Sequence, residues 1–161
     1  AGQNNMRVNL LSSVKDTLFI MESNLKKHNV SAKYDIAEDI WLVCSSDSIY
    51  TIVTQFVTNS IQHGFKSNGR YCIELTTFRR GEQLIILYKD NGIGLKNTNI
   101  KEMLVPFYTS SRGNGNIGLG LNIVYNIVNK ELEGDINFQE SSNGVRIEII
   151  IPKQKIEGLC S

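Results

Sequence analysis

The sequence predicts a two-layer α/β sandwich, in which a mixed, mostly antiparallel sheet is covered on one face by helices. Three observations carry that expectation. Hydrophobic residues make up 41% and charged residues 20% of the 161 residues, the balance of one ordinary globular domain. Apolar residues recur at helical spacing in three separate segments. Between these segments lie pairs of short alternating or continuously apolar runs that read as strands. Strand pairs alternating with single helices lead to a sheet with helices on one side.

The elements follow in order. Leu10, Leu11, Val14, Leu18, Met21 and Leu25 keep helical spacing and lead into Lys26-Lys27, basic residues suited to a helix C-terminus, so a helix is predicted over 10–27. Residues 31–36 and 40–44 read as two short strands joined by a turn at Ala37-Glu38-Asp39. Ser45 or Ser46 suits the N-cap of the next helix, whose stripe Ile49, Ile52, Val53, Phe56, Val57, Ser60 and Ile61 reaches to Gly64. Residues 71–78 alternate, Arg79-Arg80-Gly81-Glu82 forms a hairpin connection, and Leu84-Ile85-Ile86-Leu87-Tyr88 is continuously apolar.

Periodicity fades over 91–116, a loop length that in a compact domain marks a lid or binding loop. A helix resumes at Gly118 with Leu119, Leu121, Val124, Ile127 and Val128, and strands at 135–140 and 145–151 finish at Pro152. The domain is expected over 6–152, with 1–5 a remnant or linker and 153–161 a tail or linker.

Composition excludes some partners. With 17 basic against 16 acidic residues the net charge is +1, too little for a field that holds nucleic acid, so a phosphate site must be local. Cys44, Cys72 and Cys160 form no CxxC pair, which fits a reducing, cytoplasmic compartment. No run approaches the roughly 18 apolar residues of a membrane span. A parent chain anchored in the inner membrane remains compatible with this.

Three motifs carry possible chemistry. Asp90-Asn91-Gly92-Ile93-Gly94 follows an apolar strand; Asn-Gly is also a hairpin signal, but no partner strand follows. A carboxylate at a strand end beside residues without Cβ suits an exocyclic amine on a flat ring. Gly113 to Leu121 is glycine-rich and opens a helix, where free N–H groups and the helix dipole favour an anion. It is no P-loop, because Gly-Lys-Ser/Thr is missing, and no βαβ unit surrounds it. Gln55, Asn59 and His63 recur every four residues on one face of a buried helix. Buried amides need partners, and an Asn carbonyl oxygen suits a hard cation such as Mg2+.

These motifs, in this order, resemble the catalytic ATP-binding domain of sensor histidine kinases, within the GHKL group and its Bergerat fold. The resemblance covers about 6–152. Residues 55–63 resemble the family's N box, 90–94 its first glycine box, Pro106-Phe107-Tyr108 its F box and 115–121 its second glycine box, while Gly144 falls where a minor glycine motif lies. The resemblance implies Asn59 as Mg2+ ligand, Asp90 as acceptor for the adenine amino group, and Gly92 and Gly94 against the base. It implies Gly118, Leu119 and Gly120 at the phosphates, with His63 approaching them. Arg112 is the lid candidate for the γ-phosphate, against a solvated surface residue, and Phe107 the lid anchor or docking aromatic, against plain lid core.

Three departures stand out. Gln55 replaces the family's usual Asn, and glutamine cannot act as the base that hydrolysing relatives place there. Asn116-Ile117 stands where small residues are usual, and Val145 replaces a common Thr after Gly144.

The implied activity is transfer of the γ-phosphoryl group of ATP to a histidine on a separate helical dimerisation domain, with a response-regulator receiver as indirect partner. His28 lacks an acidic neighbour and reads as an exposed helix-end residue, so this stretch is expected to bind Mg2+-ATP as a monomer without phosphorylating itself. The alternatives are a degenerate docking module and a GHKL protein-serine kinase of the anti-sigma type.

Overall fold

The computed structural model describes residues 6–65, 69–93, 116–139 and 143–157. Its main body is a five-stranded sheet in the order β2-β4-β5-β7-β6. The strands are β2 (Val30–Asp35), β4 (Tyr71–Arg80), β5 (Gln83–Asp90), β6 (Asp135–Gln139) and β7 (Arg146–Ile151). Only β2 and β4 pair in parallel, so the sheet is mixed and mostly antiparallel, as the sequence implies.

One face of this sheet carries the core. Ile73 and Leu75 of β4, Leu84, Ile86 and Tyr88 of β5, and Ile147, Ile149 and Ile151 of β7 alternate inward with period two. They pack with Leu10, Val14 and Leu18 of α1 (Leu10–Ile20), Ile49, Ile52, Val53, Phe56 and Val57 of α3 (Ser46–Asn59), and Leu121 and Val124 of α4 (Asn116–Asn126). On the other face, Arg80 crosses the ring of Phe78 at 5.5 Å and reaches the buried carboxylate of Glu148 at 3.0 Å. The Arg80 hydrogen bond outweighs the burial of Glu148 and holds its carboxyl below the usual range.

Four local expectations change. The helix over 10–27 is broken at Met21 into α1 and α2 (Glu22–Lys27). The Thr17 hydroxyl donates to the Ser13 carbonyl at 2.7 Å, a back-bond that bends helices. The strands 31–36 and 40–44 do not pair with each other: β2 joins β4, whereas β3 (Trp41–Val43) lies in a separate small sheet between β1 (Arg7–Asn9) and β8 (Ile156–Glu157). Asn9 drives that turn apart, its amide donating to Glu38 O at 2.7 Å while its oxygen caps α1 through Ser12 N at 2.9 Å.

The expected tail is structured as far as Glu157, as a 3-10 turn at Lys153–Lys155 followed by β8, because β3 offers a free edge. Finally, α4 starts at Asn116, two residues before Gly118. Among the described residues no helix is long and apolar enough to cross a membrane.

Candidate functional site

The site forms where the C-terminal end of α3 meets the end of β5. Leaving α3, the chain makes one π-helical turn, Ser60–Gly64, before extending at Phe65. Such turns recur at functional positions because they displace side chains from the regular helical phase. Here the turn sets Ser60 inward over the sheet, with Asn59 just before it and His63 within it.

Asp90 closes β5 and is buried at 7% exposure. Its Oδ1 accepts the N–H of Gly92 at 3.0 Å and of Val145 at 2.8 Å. Its Oδ2 accepts the Ser60 hydroxyl at 2.5 Å. Ser60 Oγ also lies 2.5 Å from the Tyr88 hydroxyl, which sits 3.2 Å from Phe56 O. Burial pushes the Tyr88 phenol far above its ordinary range, against the opposing effect of the Ser60 bond, so it stays a protonated donor.

Gly144 makes the junction possible. It has φ +110°, and a Cβ there would fall on Asp90 O, so only glycine lets the β6–β7 connection press against the carboxylate. The backbone N–H of Val145 makes its bond to Asp90 whatever its side chain is.

Asn59 and His63 differ from this satisfied cluster. The Asn59 Nδ2 and His63 Nε2 atoms are buried without a hydrogen-bond partner. Such groups are rare in native structures and ask for a ligand or ion. Burial lowers the His63 pKa from its ordinary 6.5, so the ring is neutral at physiological pH. Gln55, one turn before Asn59, lies so close to Gly120 of α4 that a Cβ there would strike its Oε1. That contact brings the polar stripe of α3 to the glycine-rich helix, whose first turn holds Gly118 and Leu119.

The structure links Asp90 to Gly92, Val145 and Ser60, the residue that follows Asn59 and opens the turn holding His63, and sets Gln55 against Gly120. Gly94, Phe107 and Arg112 lie outside the described residues. Sequence reasoning missed Ser60 and Tyr88. Ser60 stood in the apolar stripe and Tyr88 in an apolar run; the one available signal was that Tyr88 shares the inward phase of Asp90, two residues away on the same strand.

No cluster of three or more His, Cys, Asp or Glu able to hold a metal occurs among the described residues. Among the described residues the unpaired side-chain amide at this corner is that of Asn59. An unpaired amide is free to turn its oxygen outward, which fits Mg2+, an ion that keeps several waters and is completed by substrate phosphates.

Known proteins resemble this chain in sequence and in fold. Sporulation kinase B of Bacillus subtilis strain 168 is 26% identical over 144 residues, 89% of this chain and 32% of that kinase. The chain therefore spans about a third of the length of that relative. Anti-sigma F factor of Clostridium kluyveri is 33% identical over 76 residues, 47% of this chain and 51% of the factor.

Among solved structures, the catalytic domain of histidine kinase ThkA superposes with a TM-score of 0.77 at 22% identity, covering 94% of this chain and 98% of that one. ThkA in complex with response regulator protein TrrA superposes at 0.71 and 20% identity, covering 92% of this chain and 41% of that one. The model of histidine kinase-, DNA gyrase B- and HSP90-like ATPases matches residues 44–155. This chain belongs to that family, as an ATP-binding domain with the fold of histidine kinase catalytic domains.

Proposed function

We propose that the chain is the Mg2+-ATP-binding catalytic part of a protein-histidine kinase. It would donate the γ-phosphoryl group to a histidine on a separate helical dimerisation domain of the same parent, from which a response-regulator receiver takes it. The observation that carries this reading is the Asp90 carboxylate. An ionised carboxylate has about four acceptor positions. Three are filled by Gly92, Val145 and Ser60, which leaves one for an exocyclic amine such as that of adenine.

The remaining residues divide the work. Gly92 lets the base approach the backbone; the N–H groups of the first turn of α4, at Gly118 and Leu119, suit phosphate oxygens, and Gly120, without a Cβ, lets them come close. His63 would donate its unpaired Nε2–H to the same phosphates, and Asn59 would hold Mg2+. When bound, Mg2+ supplies charge neutralisation on the phosphates. Gly94 and Arg112 keep their expected roles at the base and the γ-phosphate.

Gln55 accepts no proton from water, so the site positions ATP for an external acceptor instead of hydrolysing it. Phosphoryl transfer depends chiefly on such positioning and electrostatics.

Calorimetric titration tests the reading. ATP should bind in the presence of Mg2+, more weakly without it, and Asp90→Asn should lower the affinity by about 100-fold or more, since it puts an amide NH2 in place of Oδ2, where it opposes the Ser60 hydroxyl and the ligand amine. No binding at millimolar nucleotide would favour a docking module. The anti-sigma F relative favours a second reading, a protein-serine kinase. The acceptor decides between them: phosphohistidine is lost in acid, phosphoserine is not.

A further inference from the structure

We infer that Ser60, itself held by Tyr88, is a positioning residue that sets the specificity of the site for a purine bearing an exocyclic amine. The inference rests on the proposed adenine role of Asp90 and adds to it a cause for the carboxylate's orientation.

The two carboxylate oxygens are held differently. Oδ1 has both acceptor positions filled by the N–H groups of Gly92 and Val145, at 3.0 and 2.8 Å. Oδ2 receives only the Ser60 hydroxyl, at 2.5 Å. The open position is therefore on Oδ2, the same oxygen that Ser60 fixes. A ligand amine meets an oxygen it shares with one serine, on a carboxylate whose other oxygen is held by two backbone N–H groups.

Proton accounting gives that serine a defined orientation. Ionised Asp90 only accepts, so the single Ser60 proton points to Oδ2. Ser60 Oγ is then free to accept, and the Tyr88 hydroxyl gives its one proton to this contact at 2.5 Å in preference to the longer one, 3.2 Å, to Phe56 O. The chain runs from Tyr88 through Ser60 to Asp90, each bond polarising the next inside a buried pocket. Ser60 is 3% and Tyr88 1% exposed, so water does not compete for either hydroxyl. Tyr88 is fixed in turn by its tilted packing on Phe56, ring centroids 5.1 Å apart. The π-helical turn that begins at Ser60 aims the hydroxyl at the sheet while Asn59, its neighbour, keeps an unpaired atom for the ligand.

The test compares affinities for ATP and for purine riboside 5′-triphosphate, which lacks the amine, on the whole chain with Mg2+. The unaltered chain should prefer ATP by at least about tenfold, since a site built to pair a polar group rejects the analogue lacking it. Ser60→Ala should weaken ATP by about tenfold and leave the analogue within about twofold, so that the preference nearly vanishes. Tyr88→Phe keeps the ring and the Ser60–Asp90 bond, and should reduce the preference by about threefold.

Thermal unfolding of each variant confirms that it is folded at the temperature of titration. A merely structural hydroxyl would weaken both nucleotides alike, and that result, or an unchanged preference in both variants, overturns the role of Ser60 while leaving the adenine reading intact. An unaltered chain with no preference for ATP overturns both.

Discussion

Two helices of this domain end in the same backbone device and use it in opposite ways. α3 runs into a π-helical turn at Ser60–Gly64 and α4 into one at Ile127–Glu131. Among the described residues, no buried side-chain nitrogen or oxygen of the second turn lacks a partner. Glu131 accepts the Ser45 N–H at 2.5 Å and the Ser48 hydroxyl at 2.6 Å, so its carboxylate caps the start of α3 where Ser45 makes no side-chain cap. The chain then closes through Leu132 N to Ile127 O at 3.0 Å and Gly134 N to Val128 O at 2.8 Å.

At the first turn, Asn59 Nδ2 and His63 Nε2 stay buried and unpaired. A widened turn thus locks the fold at one end of the helical layer and leaves ligand capacity at the other. The contrast between the two turns supports the proposed ligand role of the unpaired atoms.

The comparison is broken most severely at Glu131. Glu131→Ala leaves the Ser45 N–H and the Ser48 hydroxyl without their acceptor and strips the cap from α3. A stability loss of about 2–4 kcal/mol is expected in urea denaturation. The folded fraction should bind nucleotide within about twofold of the unaltered affinity, because no ligand role falls on this end.

Removal of the unpaired groups should give the reverse pattern. Asn59→Ala deletes a buried atom that has no partner, so stability should change by no more than about 1 kcal/mol, while affinity for Mg2+-ATP falls by about tenfold or more. A variant of Asn59 that loses stability as heavily as Glu131→Ala would remove the contrast.

The two ends were unequally legible in the sequence. Asn59, His63 and Asp90 showed because polar residues interrupt apolar runs at a fixed phase, and a motif of ordered glycines backed them. Ser60 and Tyr88 were hidden because each passes for core, a small residue in a stripe and an aromatic in a strand. Val145 acts through its backbone N–H, which no side-chain pattern reveals. Glu131 sits in Lys130-Glu131-Leu132-Glu133, an ordinary charged segment until folding brings Ser45 to it from 86 positions away.

The sheet shows the same division. The long strands β4, alternating, and β5, continuously apolar, were readable with their hairpin, but β1 and β8, of three and two residues, have too little pattern to read. Without them β3 had only β2 as an apparent partner.

The smallest expected effect separates the two turns by pH. Burial lowers the His63 pKa from 6.5, so the unfolded chain takes up this proton before the folded one. Stability from this end is therefore full above about pH 6.5 and declines as pH falls below it.

Glu131 behaves otherwise. Its burial acts to raise the pKa, but the bonds from Ser48 and Ser45 and the charge of Lys155 together outweigh it, leaving the carboxyl below its ordinary 4.5. Its contribution is present above that value and is lost only as pH falls through the lowered one. Thermal midpoints measured between pH 7.5 and 3 should show both limbs. His63→Asn should flatten the limb near neutrality and leave the acid limb, whereas Glu131→Gln should shrink only the acid limb, to the part that Glu148 keeps. A single limb that responds to both substitutions would mean that the two ends titrate as one unit, and the division of labour between the turns would fail.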